Sequence, residues 1–102
     1  MIRVSVFYPN KEGAKFDHDY YAKKHIAMVT KKFGPLLVRA EADKCLSGMA
    51  PGSQPPYVAV GYLIFNSIGD MQKAFAQMGD IAADMPNFTN VQPQIQISEC
   101  TV

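Results

Sequence analysis

Nine consecutive residues, Tyr57-Val58-Ala59-Val60-Gly61-Tyr62-Leu63-Ile64-Phe65, carry no charge and refuse to alternate. Their β-branched and aromatic content, following a tract of Gly and Pro over Gly48–Pro56, reads as a strand. Tyr57, Ala59, Gly61, Leu63 and Phe65 would face one side and Val58, Val60, Tyr62 and Ile64 the other, so both faces are apolar. A sheet with helices on one side normally shows water an alternating polar face. This strand does not, and with Phe7 from the first strand its second face asks for an apolar partner. Packing two copies sheet to sheet in a barrel-like dimer supplies one, whereas monomers rarely leave such a patch bare. The run is about half the length that a membrane span needs, so no membrane partner is expected.

Ile2–Tyr8 alternates, with Ile2, Val4 and Val6 against Arg3, Ser5 and Phe7, and is the first strand. After the turn Pro9–Gly13, Asp17 stands where a helix N-cap belongs. The helix that follows runs to about Phe33 and stops at Gly34-Pro35, with Lys31 and Lys32 suiting its negative end. Leu36–Ser47 is a second strand, with Leu37, Arg39 and Glu41 against Val38, Ala40 and Ala42. Ser67 caps a second helix from Ile68 to about Met78, where Met71, Ala74, Phe75 and Met78 follow helical spacing. Gly79 interrupts it, and Asp80–Met85 is a further short turn. Val91–Thr101, with Pro93 near its start, is the fourth strand. The order β-α-β-β-α-β is the split arrangement of the ferredoxin-like fold: an α+β domain spanning residues 1–102, with two helices on one face of a four-stranded antiparallel sheet.

Composition narrows the function. Ten Lys+Arg against nine Asp+Glu leave a net charge of +1, no footprint for nucleic acid. Apolar residues make up 48% of the chain, more than a fold of this length easily hides, since it buries only roughly 65% of its unfolded surface. The direct Met-Ile-Arg-Val opening, with no charged leader or apolar run, leads us to expect a cytoplasmic protein. Cys45 and Cys100, without ligand-spaced partners, read as reduced thiols and not as a disulfide or metal site.

At about 100° per residue, Tyr21, Ala22, His25, Ile26, Met28, Val29 and Phe33 share one stripe of the first helix. His25 therefore points at the sheet. Its imidazole is the side chain that most readily exchanges a proton near neutral pH, and Tyr21 lies one turn before it. A histidine on an apolar stripe is also commonly a satisfied core residue, and both readings stay open. Met28 is a candidate for the lining of the same pocket, although with Met71 and Met78 it equally suits a core. His18, beside the cap, is a weaker candidate. Asp84 and Asn87 lie in the polar-aromatic connection before the last strand, where they would serve as a polar gate or as ordinary turn residues. Arg3 and Ser5 share the proposed barrel side. Phosphate-loop, dinucleotide, zinc-protease and serine-hydrolase motifs are all missing, so for catalysis the expectation is proton transfer in an apolar pocket, with no cofactor, over hydride transfer on a bound dinucleotide.

Phe16-Asp17-His18-Asp19-Tyr20-Tyr21-Ala22-Lys23-Lys24-His25-Ile26-Ala27-Met28-Val29 resembles the F-D-x-x-Y-Y-x-x-x-H-x-P-L-V signature of the EthD family, named for ethyl tert-butyl ether degradation. Ile2–Val6 and Met85–Glu99 are similar to the same family. The resemblance implies a homodimeric α+β barrel, akin to cofactor-free monooxygenases, lactone isomerases and polyketide cyclases. Members are often described as reductases or oxidoreductases. It maps the family's histidine onto His25 and its aromatic pair onto Tyr20 and Tyr21. The family's proline is Ala27 here, which predicts a helix continuous past His25. Three functions follow: a small barrel enzyme or an auxiliary in a degradative pathway, acting on an apolar or aromatic molecule with His25 as acid/base and Tyr21 as donor; a non-catalytic carrier or stabilising partner for such a molecule; or a haem-binding barrel with His25 as axial ligand.

Overall fold

The computed structural model describes residues 1–102. In chain order it contains β1 (Ile2–Pro9), α1 (His18–Tyr20), a π-turn (Tyr21–His25), α2 (Ile26–Phe33), a 3-10 turn (Gly34–Leu36), β2 (Leu37–Lys44), β3 (Tyr57–Phe65), α3 (Ile68–Phe75), α4 (Gly79–Ala83), a second 3-10 turn (Met85–Asn87) and β4 (Gln94–Glu99). The strands form one sheet in the order β2-β3-β1-β4, and every neighbouring pair is antiparallel. This is the expected α+β, ferredoxin-like architecture. The two-faced apolar strand, β3, is an interior strand, flanked by β1 and β2.

The caps fall where the side chains dictate. The Asp17 carboxylate accepts from the Tyr20 amide at 3.0 Å, and the Ser67 hydroxyl accepts from the Asp70 amide at 3.1 Å. Gly34 closes α2 at φ 53°, a left-handed value that glycine takes without strain. The helix before it runs on past His25, as Ala27 in place of the family's proline predicts, but it is not a regular α-helix. At Ile26 the backbone N–H reaches back to the carbonyl of Tyr21, five residues earlier, so the middle of the helix is a π-turn. Two strands are shorter than their sequence suggests. β4 starts only after Pro93, which has no N–H for the ladder. In β2 the register shifts between Leu37 and Arg39. A bulge of this kind puts two residues opposite one, and it turns Leu37, Ala40 and Ala42 toward the helices and Arg39, Glu41 and Asp43 away from them. Simple alternation had put Leu37 with Arg39.

The core lies between helices and sheet. Val4, Leu37, Leu63 and Phe65 of the sheet meet Val29 and Phe33 of α2, Met71 and Ala74 of α3, and Ile81 of α4. A second cluster joins Tyr8 and Ala59 to Tyr21 and Phe88. The helices stop short of β4, whose Ile95 and Ile97 face the same side yet stay 55% and 49% exposed. The far face of the sheet has no second layer of this chain, and the molecule is only 19 Å through its thinnest axis. Val60 and Ile64 on that face are nevertheless buried. Larger neighbours screen them: Phe7 packs on Tyr57 with ring centroids 5.0 Å apart, and the Arg3 guanidinium lies 5.8 Å from the Tyr62 ring centroid.

Phe65 is fully buried and packs against Phe33 and Phe75 at 6.1 Å. Phe65→Ala is expected to cost about 3–5 kcal/mol through lost transfer energy and an unfilled cavity. Urea denaturation of both proteins checks this; a loss under 1 kcal/mol, on the order of a surface substitution, would contradict the packing described.

Candidate functional site

Residues five apart on an ideal α-helix stand about 140° apart. The wider π-turn brings Tyr20 and His25 onto one flank, where both reach the same carboxylate. Asp84 sits between α4 and the Met85–Asn87 turn. Its Oδ1 accepts from the Tyr20 hydroxyl at 2.6 Å and from the Asn87 amide at 2.9 Å, and its Oδ2 lies 2.8 Å from His25 Nδ1. The His25 and Asp84 side chains are only 7% and 13% exposed. Burial pushes the Asp84 carboxyl up, but the hydrogen bonds from Tyr20, Asn87 and His25, with the charge of His25, outweigh it and hold the group below its ordinary value. The same bond to Asp84 pushes the Tyr20 hydroxyl up.

An ionised carboxylate only accepts, so Nδ1 of His25 carries the proton and donates it to Asp84. In the neutral ring Nε2 is then the basic nitrogen. No group in the chain bonds to it, and the ring lines a cavity of about 80 Å³ between the sheet and the helices. The rest of the lining is mainly apolar and includes Val6, Leu63, Met78, Met85 and Ile95.

Two tyrosines supply the remaining polar atoms. Tyr8 and Tyr21 both line the cavity and hydrogen-bond to each other. Burial pushes Tyr8 up to about 12, partly offset by that bond, and pushes Tyr21 higher still. Both hydroxyls therefore stay protonated at neutral pH and can donate but not act as bases. Tyr21 stacks on His25 with ring planes 16° apart, and Phe88 closes against His25 at 4.5 Å. Gly61 on β3 makes this possible: a Cβ there would run into the Tyr21 hydroxyl. No lysine or arginine lines the cavity, so nothing in it complements a carboxylate or phosphate. No cluster of three or more His, Cys, Asp or Glu residues is arranged to hold a metal ion, and no helix is long and apolar enough to cross a membrane.

The residues singled out in the sequence separate in space. His25 and Tyr21 line the cavity. Asp84 is no gate, because it stands behind His25 and orients it. Asn87 does not reach the cavity either; it binds Asp84. Met28 packs against the main core and not the cavity, since three regular helical steps place it on the opposite side of His25 from Ile26 and Val29, which line the cavity. His18 packs on Phe16, outside the cavity, and Ala22 is exposed. Tyr8, Gly61 and Phe88 were missed. Tyr8 had a legible signal, since it continues the face of Ile2, Val4 and Val6; Phe88 gave none, because a loop has no periodicity.

A ferredoxin-like sheet with a histidine–aspartate pair at an apolar cavity defines a small α+β protein with one polar, hydrogen-bonded corner in an otherwise apolar hollow. The model of the EthD domain matches residues 12–92. An EthD-like protein from Ralstonia eutropha is 38% identical, with TM-score 0.94, over 99% of this chain and 92% of that one. This chain belongs to the EthD family. An ethyl tert-butyl ether degradation (EthD) family protein from Bacillus halodurans shares 17% identity at TM-score 0.65, over 99% of both chains. SnoaB from Streptomyces nogalater, a cofactor-independent oxygenase, shares 12% at TM-score 0.64, over 99% of this chain and 92% of its own. Those two likenesses show the fold alone. Among curated proteins none matches.

Because the Asp84 carboxyl is held below its unfolded value, its contribution to stability is present above about pH 4 and is lost as pH falls through the lower folded value. Asp84→Asn removes that contribution. Melting temperatures taken from about pH 7 to about pH 3 are expected to fall less steeply for the variant than for the parent, and parallel curves would disprove the assignment. Gly61→Ala is expected to displace the Tyr21 ring and cost about 1–3 kcal/mol, which chemical denaturation and a crystal structure of the variant would measure.

Proposed function

We propose that this chain is an EthD-type domain, spanning residues 1–102 and working in the cytoplasm as a homodimer, that binds a neutral apolar or aromatic molecule and moves a proton on it without a cofactor. The observation that carries this reading is the His25–Asp84 pair: Nδ1 is tied to a carboxylate at 2.8 Å while the ring borders an apolar cavity. A carboxylate behind the ring stabilises the imidazolium formed when Nε2 takes a proton. The tyrosine hydroxyls donate to the oxygen on which charge then develops. The ligand class is a phenol, or a ketone with an acidic neighbouring C–H. The activity named for SnoaB, cofactor-independent oxygenation, and the lactone isomerase, cyclase and degradative auxiliary roles implied by the family resemblance all suit a protein base in a dry site. A haem-binding role has less support, because about 80 Å³ falls short even of the ~150 Å³ that holds benzene. Growth to ligand size falls to the flexible side chains of Met78 and Met85.

A panel of neutral phenols and cyclic ketones tests the proposal, with binding followed by calorimetry and proton transfer by deuterium uptake from D₂O. His25→Ala is expected to retain binding and to lose about 10²–10⁴-fold in exchange rate. Unchanged exchange by the variant on every bound compound would leave a carrier in place of an enzyme.

A further inference from the structure

The far face of the sheet holds two charges that this chain leaves without a countercharge, although the Tyr62 hydroxyl hydrogen-bonds to Asp43. Arg3 on β1 points there, with its Nε shielded from solvent and bonded to nothing. Asp43 on β2 points to the same face and makes no ion pair, whereas Glu41 beside it has Arg39 at 3.7 Å. Arg3, Asp43, Glu41 and Tyr62 border one hollow, but Arg3 lies over the Tyr62 ring and does not reach either carboxylate. An arginine with a buried, unpaired donor is costly, and its cost falls when a carboxylate meets it in the planar geometry that guanidinium favours.

We propose that a second copy of this chain seats on this face and that Arg3 of each subunit pairs with Asp43 of the partner subunit. The inference rests on the homodimer proposed above and adds the contact that sets its geometry. A two-fold axis makes a contact reciprocal, so one orphan cation and one orphan anion on a single face become two intersubunit pairs. The occupant is a second copy and not another protein because the face is its own electrostatic complement: Arg3 and Arg39 balance Glu41 and Asp43. Phe7, Tyr57 and Tyr62 supply the apolar contact around the charges, and no layer of this chain lies over them.

The arrangement makes a prediction that no contact within one chain makes. Arg3→Glu should place two acidic pairs across the interface, and Asp43→Arg two basic pairs, each weakening the dimer on the order of a hundredfold. Mixed one to one, the two variants should form a heterodimer, because both cross pairs are then of opposite charge, one native and one with inverted sign. Sedimentation velocity reads the dissociation, native mass spectrometry reads the heterodimer, and circular dichroism with Arg3→Met confirms that the fold survives. Single variants that stay dimeric, or a mixture that stays monomeric, would overturn the pairing while leaving the dimer standing. A parent protein that is monomeric throughout the micromolar range would overturn both.

Discussion

A carboxylate at 13% exposure must be surrounded by donors, and at Asp84 the donors come from two distant parts of the chain. Tyr20 and His25 reach it from the first helical segment, and Asn87 reaches it from the turn that follows α4. The bond thus fastens the connection before β4 onto the first helix. It also fixes which nitrogen of His25 carries the proton, and with that the chemistry that the cavity sees. Remove the carboxylate and the imidazole is free to turn or to take its other tautomer. The orientation of the imidazole, the closing of Phe88 over it and the position of the last loop all depend on one ion.

The π-turn belongs to the same system. A regular helix would swing Tyr20 and His25 apart, and only one of them could meet Asp84. The extra residue in the turn costs backbone regularity, which the hydrogen bonds to Asp84 and the packing of Tyr21 on His25 offset. Gly61 is a further local concession: a strand interior gives up a side chain so that a tyrosine hydroxyl can lie against its backbone. Both departures from regular structure fall within the residues that border the cavity, where a rule of local propensity yields to the placing of polar atoms.

Element order was legible because each boundary has a local cause. Asp17 and Ser67 cap helices through their own side chains, and Gly34, with Pro35 after it, stops one. His25 was legible as a histidine on an apolar stripe. What escaped is tertiary. The hydrogen bonds of Asp84 span more than fifty positions of sequence, and no spacing rule joins residue 20 to residue 84. Met28 was misplaced because one broad apolar stripe faces both the cavity and the main core, and spacing alone does not divide it between them. Leu37 was set on the wrong face for a different reason, since a single bulged residue inverts every side chain on one side of it.

The far face shows how charge and apolar area divide labour on one sheet. On the helix side the polar atoms near the cavity are neutral tyrosines and one histidine, with the charge of Asp84 set behind the ring, so no carboxylate or ammonium faces into the cavity. On the other side the charges are gathered, and β3 serves both: Gly61 and Leu63 border the cavity while Val60, Tyr62 and Ile64 face away. A strand apolar on both faces is therefore a shared wall. Pressure on the far face from a second subunit would bear on the backbone of β3 and, through Gly61, on the hydroxyl of Tyr21. The absence of a side chain at Gly61 removes the cushion that would otherwise separate the two, so the sheet face proposed to meet a second copy backs directly onto the floor of the cavity.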